Sequence, residues 1–461
     1  QTNLNRYQAD LYRIQGVHNW YIDSETTLTT RLYYSDHSRD RPHARRGGPD
    51  VPGGSIRSRN RDYDFWGVES RYEKTNMPLV AGVTFDFQAG VRYEEHNFSN
   101  CNTSGRVGEH TRTGHCLPSG PYGLRDSTQR TDFEADSFAA FIQTPIHLTR
   151  NLTVTPGVRF ENWDIEGRQI FDSAGFINPP TTVSSNHDHV LPAIGFAWEA
   201  MPLTTLYGGY HQGVTPMVVR NPDLDQFPLP DEKGDNFSIG VRTNAVRGLT
   251  LDLAYFHSKI DNYQIKSPVT DPAFNNTVYG IVDEVEINGF ELYSRLDSQP
   301  FTGGAFNVFG EATYTYADSV IKRGVDSNTV DTVDISGNKV PEVPRHFANL
   351  TLGVEERGLW NASVTGTYIG EFFTDARNTG PWTCVDEDGV PDACSSDAVF
   401  GKVDGQWLLS ARANYFVPNT NLTLFVSGQN LTNEFYVADF ADGAKPGVGR
   451  TLWAGFTYKF D

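Results

Sequence analysis

Between His37 and Arg61 the chain gathers Arg39, Arg41, Arg45, Arg46, Arg57, Arg59 and Arg61 with His37 and His43, although its formal net charge is -19. A guanidinium stays charged at any biological pH, and its planar fork grips a carboxylate or phosphate through two parallel hydrogen bonds. Arg39, Arg41, Arg45, Arg46 and Arg59 are therefore candidate ligands for an oxygen-rich anion. The plainer alternative is that these arginines pair with Asp40, Asp50 and Asp62, or only steer anions toward the surface. A second constellation lies between Cys384 and Cys394. Asp386, Asp388 and Asp392 surround Gly389 in the D-x-D-G-x-x-D spacing of a calcium loop. The distal bidentate Glu of such loops is not evident, so a solvated acidic turn is the alternative. The four cysteines fall as two close pairs, Cys101/Cys116 and Cys384/Cys394, in polar stretches bearing Gly and Pro. Local pairing of this kind points to disulfides and an oxidising compartment, and neither spacing carries the His ligands of a zinc site. No G-x-S-x-G, H-E-x-x-H, phosphate-binding loop or dinucleotide fingerprint occurs, so no enzyme is expected. The acidic balance argues against a nucleic-acid partner.

These residues must be positioned by strands. Trp360, Ala362, Val364, Gly366 and Tyr368 alternate with Asn361, Ser363, Thr365 and Thr367, and the same period returns at Leu249–Tyr255, Phe306–Tyr314, Leu422–Val426 and Leu452–Phe460. Period two sends apolar side chains to one face and polar ones to the other. Val285 and Ile287 are out of phase with Phe290 and Leu292, which predicts a bulge near Asn288-Gly289. No apolar run is long enough for a transmembrane helix. Low mean hydropathy, -0.46, does not exclude the membrane, because a spanning strand needs only every second residue to be apolar.

Connections alternate in length. Asp23-Ser24, Thr149-Arg150-Asn151, Met201-Pro202, Arg247-Gly248, Arg357-Gly358 and Pro418-Asn419-Thr420 read as tight turns; 37–60, 97–130, 167–185, 214–233, 318–344, 373–402 and 435–448 read as long polar loops. That layout predicts an all-β, antiparallel transmembrane β-barrel with its long loops outside the cell. Arg159, Asp252, Glu311 and Arg412 would face the lumen, and Trp20, Tyr21, Trp360, Tyr368 and Tyr458 the lipid interfaces. About 17 long strands are expected, an odd number that leaves open edges unsuited to lipid, so 1–461 is expected to be part of a barrel domain. The chain opens at Gln1 with no signal-peptide pattern, as after processing or truncation.

Several stretches resemble TonB-dependent outer-membrane receptors. Gly428-Gln429-Asn430-Leu431-Thr432-Asn433 with Phe435-Tyr436 resembles the family's penultimate-strand signature. Gly449-Arg450-Thr451 through Phe460 resembles its closing strand, with Asp461 beyond the usual terminal aromatic. Leu191-Pro192-Ala193, Tyr207-Gly208-Gly209-Tyr210 and Gly213-Val214-Thr215-Pro216 resemble its "LP…Y…GF.P" hairpin, and Glu232–Gly240 its "E…N.E.G" strand start. Val343-Pro344-Arg345-His346 and Phe373-Thr374-Asp375 to Asn378-Thr379 resemble the ferric-citrate branch in particular.

The resemblance implies a barrel of about 22 strands closed by an N-terminal plug, of which the plug and about five strands are missing here. It implies an outer-membrane active transporter of a Gram-negative bacterium. Energy would come from the TonB–ExbB–ExbD complex through the missing plug, and lipid and lipopolysaccharide would surround the barrel, the lipopolysaccharide phosphates being alternative partners for the arginine loop. The cargo implied is ferric citrate or a similar anionic siderophore, gripped in part by the arginine loop. The alternatives are haem, another cargo of the family, or a passive porin or adhesin barrel. For haem, His211 beside Gln212 is the candidate iron ligand, and Asn221-Pro222-Asp223-Leu224 resembles the haem-receptor "NPNL" motif with one departure. No cofactor is expected beyond a structural calcium at the acidic loop.

Overall fold

The computed structural model describes residues 8–45, 55–80, 82–106, 127–172, 175–216, 230–271, 276–327, 332–380, 383–385, 398–439 and 445–460. Seventeen strands of eight or more residues fill most of it. No helix among these residues is long and apolar enough to cross a membrane, which says nothing of crossing by strands. Two compact parts divide the chain.

The first part comprises 1–149, 154–194 and 214–231. The strand Gln8–Tyr21 pairs antiparallel with Thr26–Asp40, which pairs with Ser55–Val80. Val83–Arg106 follows, then Ser127–Gln143 and Leu152–Asp172. Tight turns set the register: Asp23 accepts from the Glu25 amide at 2.8 Å and the Thr26 hydroxyl at 3.0 Å, closing the first hairpin.

The second part comprises 150–153, 195–213 and 232–461. Glu232–Thr243, Leu249–Asp271, Asn276–Asp297, Phe306–Arg323, His346–Glu356, Trp360–Ile369, Gln406–Phe416, Leu422–Gln429 and Thr451–Tyr458 each pair antiparallel with the next. Gly248 (φ 74°) and Gly358 (φ 77°) turn in the left-handed region at two of the expected tight connections. One face of these strands is apolar and exposed: Leu350, Leu352, Val364, Leu424, Val426, Leu452 and Phe456. The opposite face carries ion pairs. Arg295 meets Asp297 at 2.9 Å and Glu311 and Glu355 at 3.5 Å, and Arg242 meets Asp252 at 2.6 Å. An exposed apolar face this extensive has to be covered by something other than water.

Two sequence expectations are corrected. Strands run far into segments read as loops: Ser55–Val80, Val83–Arg106 and Gly175–Met201 have 26, 24 and 27 residues. A spanning strand needs only about 9–11 residues. Apolar residues are sparse in the excess and do not alternate, so no period of two marks it. The bulge near Asn288-Gly289 is also absent, since register runs unbroken from Glu284 to Leu296 against the preceding strand. The apolar residues change face because the environment changes. Val285 is buried in an apolar cluster and Ile287 packs against it, whereas Phe290 lies on the exposed face.

Gly289 is required for a different reason. A Cβ there would stand 2.1 Å from the Tyr316 carbonyl oxygen and 2.4 Å from the Phe256 ring. Gly289→Ala is expected to destabilise by about 1–3 kcal/mol, as overpacking does. Gly366→Ala, whose nearest neighbour is the Trp407 ring at 3.8 Å, should stay within about 0.5 kcal/mol. Denaturant midpoints of the two variants check this difference.

Candidate functional site

The first part of the chain builds a site from strand register. Arg39 lies directly opposite Arg61, Arg61 opposite Asn100, and Asn100 opposite Thr131. Two residues along each strand the next row reads His37, Tyr63, Phe98 and Phe133. Period two puts both rows on one face. The second row is a stack of nearly parallel rings. Centroids are 5.6 Å apart for His37–Tyr63, 4.5 Å for Tyr63–Phe98 and 5.9 Å for Phe98–Phe133, with interplanar angles of 18°, 12° and 14°.

The first row is electrostatically incomplete. Like charges directly opposite one another destabilise a strand pair. No carboxylate among the described residues forms an ion pair with Arg39 or Arg61, and the Nε of each is buried without a hydrogen-bond partner. The only hydrogen bond from the two guanidiniums within the described residues runs from Arg61 Nη1 to the Tyr63 hydroxyl, at 3.4 Å. Asn100, 3% exposed, leaves its Oδ1 unpartnered as well. Asp40 and Asp62 adjoin the two arginines in sequence, but in a strand adjacent side chains take opposite faces. An anion between two forks, beside the column of stacked rings, would complete the row.

The family described as TonB dependent receptor-like, beta-barrel matches residues 1–431. The chain belongs to the TonB-dependent receptors. Such β-barrels lie in the outer membrane of Gram-negative bacteria, and lipid is what covers the exposed apolar face. The receptor is 27% identical to the hemophilin receptor of Acinetobacter baumannii over 236 residues, 47% of this chain and 21% of that protein. Its fold matches the unliganded ferric citrate transporter FecA with a TM-score of 0.72 at 22% identity, covering 98% of this chain and 61% of FecA. It matches the siderophore receptor PiuA from A. baumannii with a TM-score of 0.70 at 18% identity, covering 98% and 64%. At such identities the solved structures establish the fold, and the receptor chain spans less than two thirds of each relative.

Within this receptor the predicted residues are distributed unevenly. Arg39 joins the row described above, and Arg61, present in the basic run, is its partner. Arg41 is exposed just past the strand Thr26–Asp40 and has a partner of its own. Arg45 and Arg59 sit on paired strands, Pro42–Arg45 against Ser55–Val80, but their side chains lie outside the described residues, as does all of Arg46. His211 and Gln212 are not brought together. Gln212 donates to Asp235 at 2.8 Å alongside the Tyr210 hydroxyl at 2.5 Å, while the exposed His211 takes the other face of its strand. Asp386, Asp388, Asp392, Cys116 and Cys394 lie outside the described residues. Cys384 is on the short strand Thr383–Val385, opposite Val399. Cys101 is buried. The basic run itself was a sequence signal. The ring stack was not, because His37, Tyr63, Phe98 and Phe133 are scattered along the chain and only register aligns them.

Proposed function

We propose that this receptor is the barrel portion of an active importer of an anionic ferric chelate, ferric citrate or a similar carboxylate-rich siderophore. The observation that carries the reading is the pair Arg39–Arg61, two cross-strand guanidiniums with unpartnered Nε atoms. A chelate bearing carboxylates supplies the missing negative charge. Arg41, Arg45, Arg46 and Arg59 add positive charge to the same stretch of sequence and would raise the encounter rate. Opening the path would draw on a plug and on the TonB–ExbB–ExbD complex, and the receptor would do no chemistry on its cargo. Disulfides Cys101–Cys116 and Cys384–Cys394, and a calcium loop at Asp386, Asp388 and Asp392, belong to the same proposal as loop staples.

Haem is the second reading. The column of ring edges from His37, Tyr63, Phe98 and Phe133 offers an apolar contact to a macrocycle whose propionates would meet the same arginines. Titrating the complete receptor with ferric citrate and with hemin in parallel, read by tryptophan fluorescence, separates the two. Saturable ferric-citrate binding that weakens from 50 mM to 500 mM salt is the expected result. Saturation by hemin alone would overturn the chelate assignment and leave the arginines to the propionates.

A further inference from the structure

A second cluster, separate from the arginine row, involves His187, His189 and Asp231. Spacing of two on the strand Gly175–Met201 puts both imidazoles on one face. His187 Nδ1 and His189 Nε2 each lie 2.7 Å from the same oxygen, Oδ2 of Asp231. The donor atoms of all three residues lie within 4.8 Å of one another. The side chains are 15%, 7% and 2% exposed, so the group is closed from bulk water.

We propose that His187, His189 and Asp231 bind a borderline divalent transition-metal ion of the zinc class. Two imidazole nitrogens and one carboxylate oxygen form the donor set such ions prefer, with a fourth position open to water. Bond lengths of about 2.0–2.2 Å put neighbouring donors about 3.3 Å apart around a tetrahedral ion. The present contacts need to widen by roughly half an ångström, well within side-chain adjustment.

The surroundings match what a metal-binding histidine requires. Ser185 Oγ contacts the Nε2 of His187. In the tautomer whose Nε2–H donates to Ser185 Oγ, Nδ1 turns a lone pair toward the carboxylate, and a cation is what joins two such lone-pair faces. Trp163 walls the cluster, its ring centroid 6.2 Å from His187 and 5.1 Å from His189. The indole, 8% exposed, keeps a buried Nε1–H without a partner among the described residues, a donor suited to the water or anion in the fourth position. Glu161, another buried carboxylate on the strand that carries Trp163, is engaged by Arg159 at 2.5 Å and Arg92 at 3.9 Å and is not needed as a ligand.

The test uses the purified receptor without any histidine tag. Equilibrium dialysis against Zn²⁺ should give one equivalent beyond the His187→Ala/His189→Ala double variant. Co²⁺ in its place should give the intense visible bands of a tetrahedral N/O site. Asp231→Asn, which keeps the side-chain shape, should weaken Zn²⁺ at least 100-fold. Ser185→Ala, which only frees the ring, should weaken it roughly 10-fold. Circular dichroism identifies any variant that fails to fold; Asp231→Asn and Ser185→Ala then carry the test. Equal Zn²⁺ binding by the parent and Asp231→Asn, or no stoichiometric metal in the parent, overturns the site and leaves a hydrogen-bonded triad. Neither result bears on chelate binding at Arg39 and Arg61.

Discussion

Replacing Arg39 and Arg61 together with Ala is expected to weaken binding of an anionic ferric chelate by about 100-fold or more. Removing a charged partner from a desolvated pair typically costs 2–5 kcal/mol, and a tenfold loss corresponds to about 1.4 kcal/mol. The side chains are only partly buried, so the lower part of that range applies. Lysine at either position should restore part of the affinity, because it returns the charge but not the fork. Stability should move the other way. The ligand-free protein carries two like charges face to face on paired strands, and relieving that opposition should leave it unchanged or slightly more stable, by up to about 0.5 kcal/mol. Measuring both quantities on one variant separates a binding role from a structural one. Lost stability with unchanged affinity would mean that the arginines hold the strands through a partner not yet identified. Retained affinity with unchanged stability would move the cargo elsewhere.

Where the chain meets lipid, the sequence is easy to read. Leu350, Leu352 and Val364 face lipid, Thr351 and Thr365 face inward and hydrogen-bond at 2.8 Å, and the period of two follows directly. The turns at Gly248 and Gly358 were legible for the same local reason, since a two-residue reversal needs positive φ. Outside the membrane that logic stops. A strand that need not present an apolar face to lipid carries no period of two, so residues 167–185 look like a loop although their described part, 167–172 and 175–185, is strand. The candidate site was half legible. Clustered arginines announce an anion, but that Arg39 meets Arg61, and that rings from four strands stack beside them, depends on cross-strand pairings between residues 22 to 39 positions apart. His187 and His189 show a visible spacing, but their third donor, Asp231, lies forty-two residues on.

The same contrast explains the most consequential packing substitution. Ile321→Ala is expected to open a small apolar core, of which Ile321, Ile335, Val340 and Ala376 lie in segments that read as polar loops. Val282, Val285, Ile321, Ile335, Val340 and Ala376 are all buried to 1% exposure or less, with Tyr263, Ile287, Val333 and Val343 packed around them. Only two or three apolar residues come from any one stretch, and the intervening residues are polar, so no window of sequence looks like a core. Ile321 fastens the backbone as well: its amide donates to Asn338 O at 2.8 Å and its carbonyl accepts from Gly337 at 2.7 Å. Truncating a fully buried Ile costs about 2–5 kcal/mol through lost transfer energy and the cavity left behind. Because lipid-facing strands elsewhere share none of these contacts, the loss should be local. Amide exchange at Gly337 and Ile335 should accelerate roughly 30-fold or more, while amides of Leu350 and Val364 keep their protection. Ile321→Val should cost about 0.5–1.5 kcal/mol and change exchange several-fold at most. Asp375 gives an independent readout. It is buried at the edge of this core, with its carboxyl pushed above the usual range by desolvation, against hydrogen bonds from Thr379 that pull it down. Protonation therefore favours the closed core, an effect fully present below the unfolded carboxyl's range and lost as pH rises through the raised value. Opening the core in Ile321→Ala should rehydrate Asp375 and return its titration toward an ordinary carboxylate, visible by NMR of the labelled side chain. If exchange accelerates uniformly across the receptor instead, the core is coupled to the membrane strands and not an independent unit.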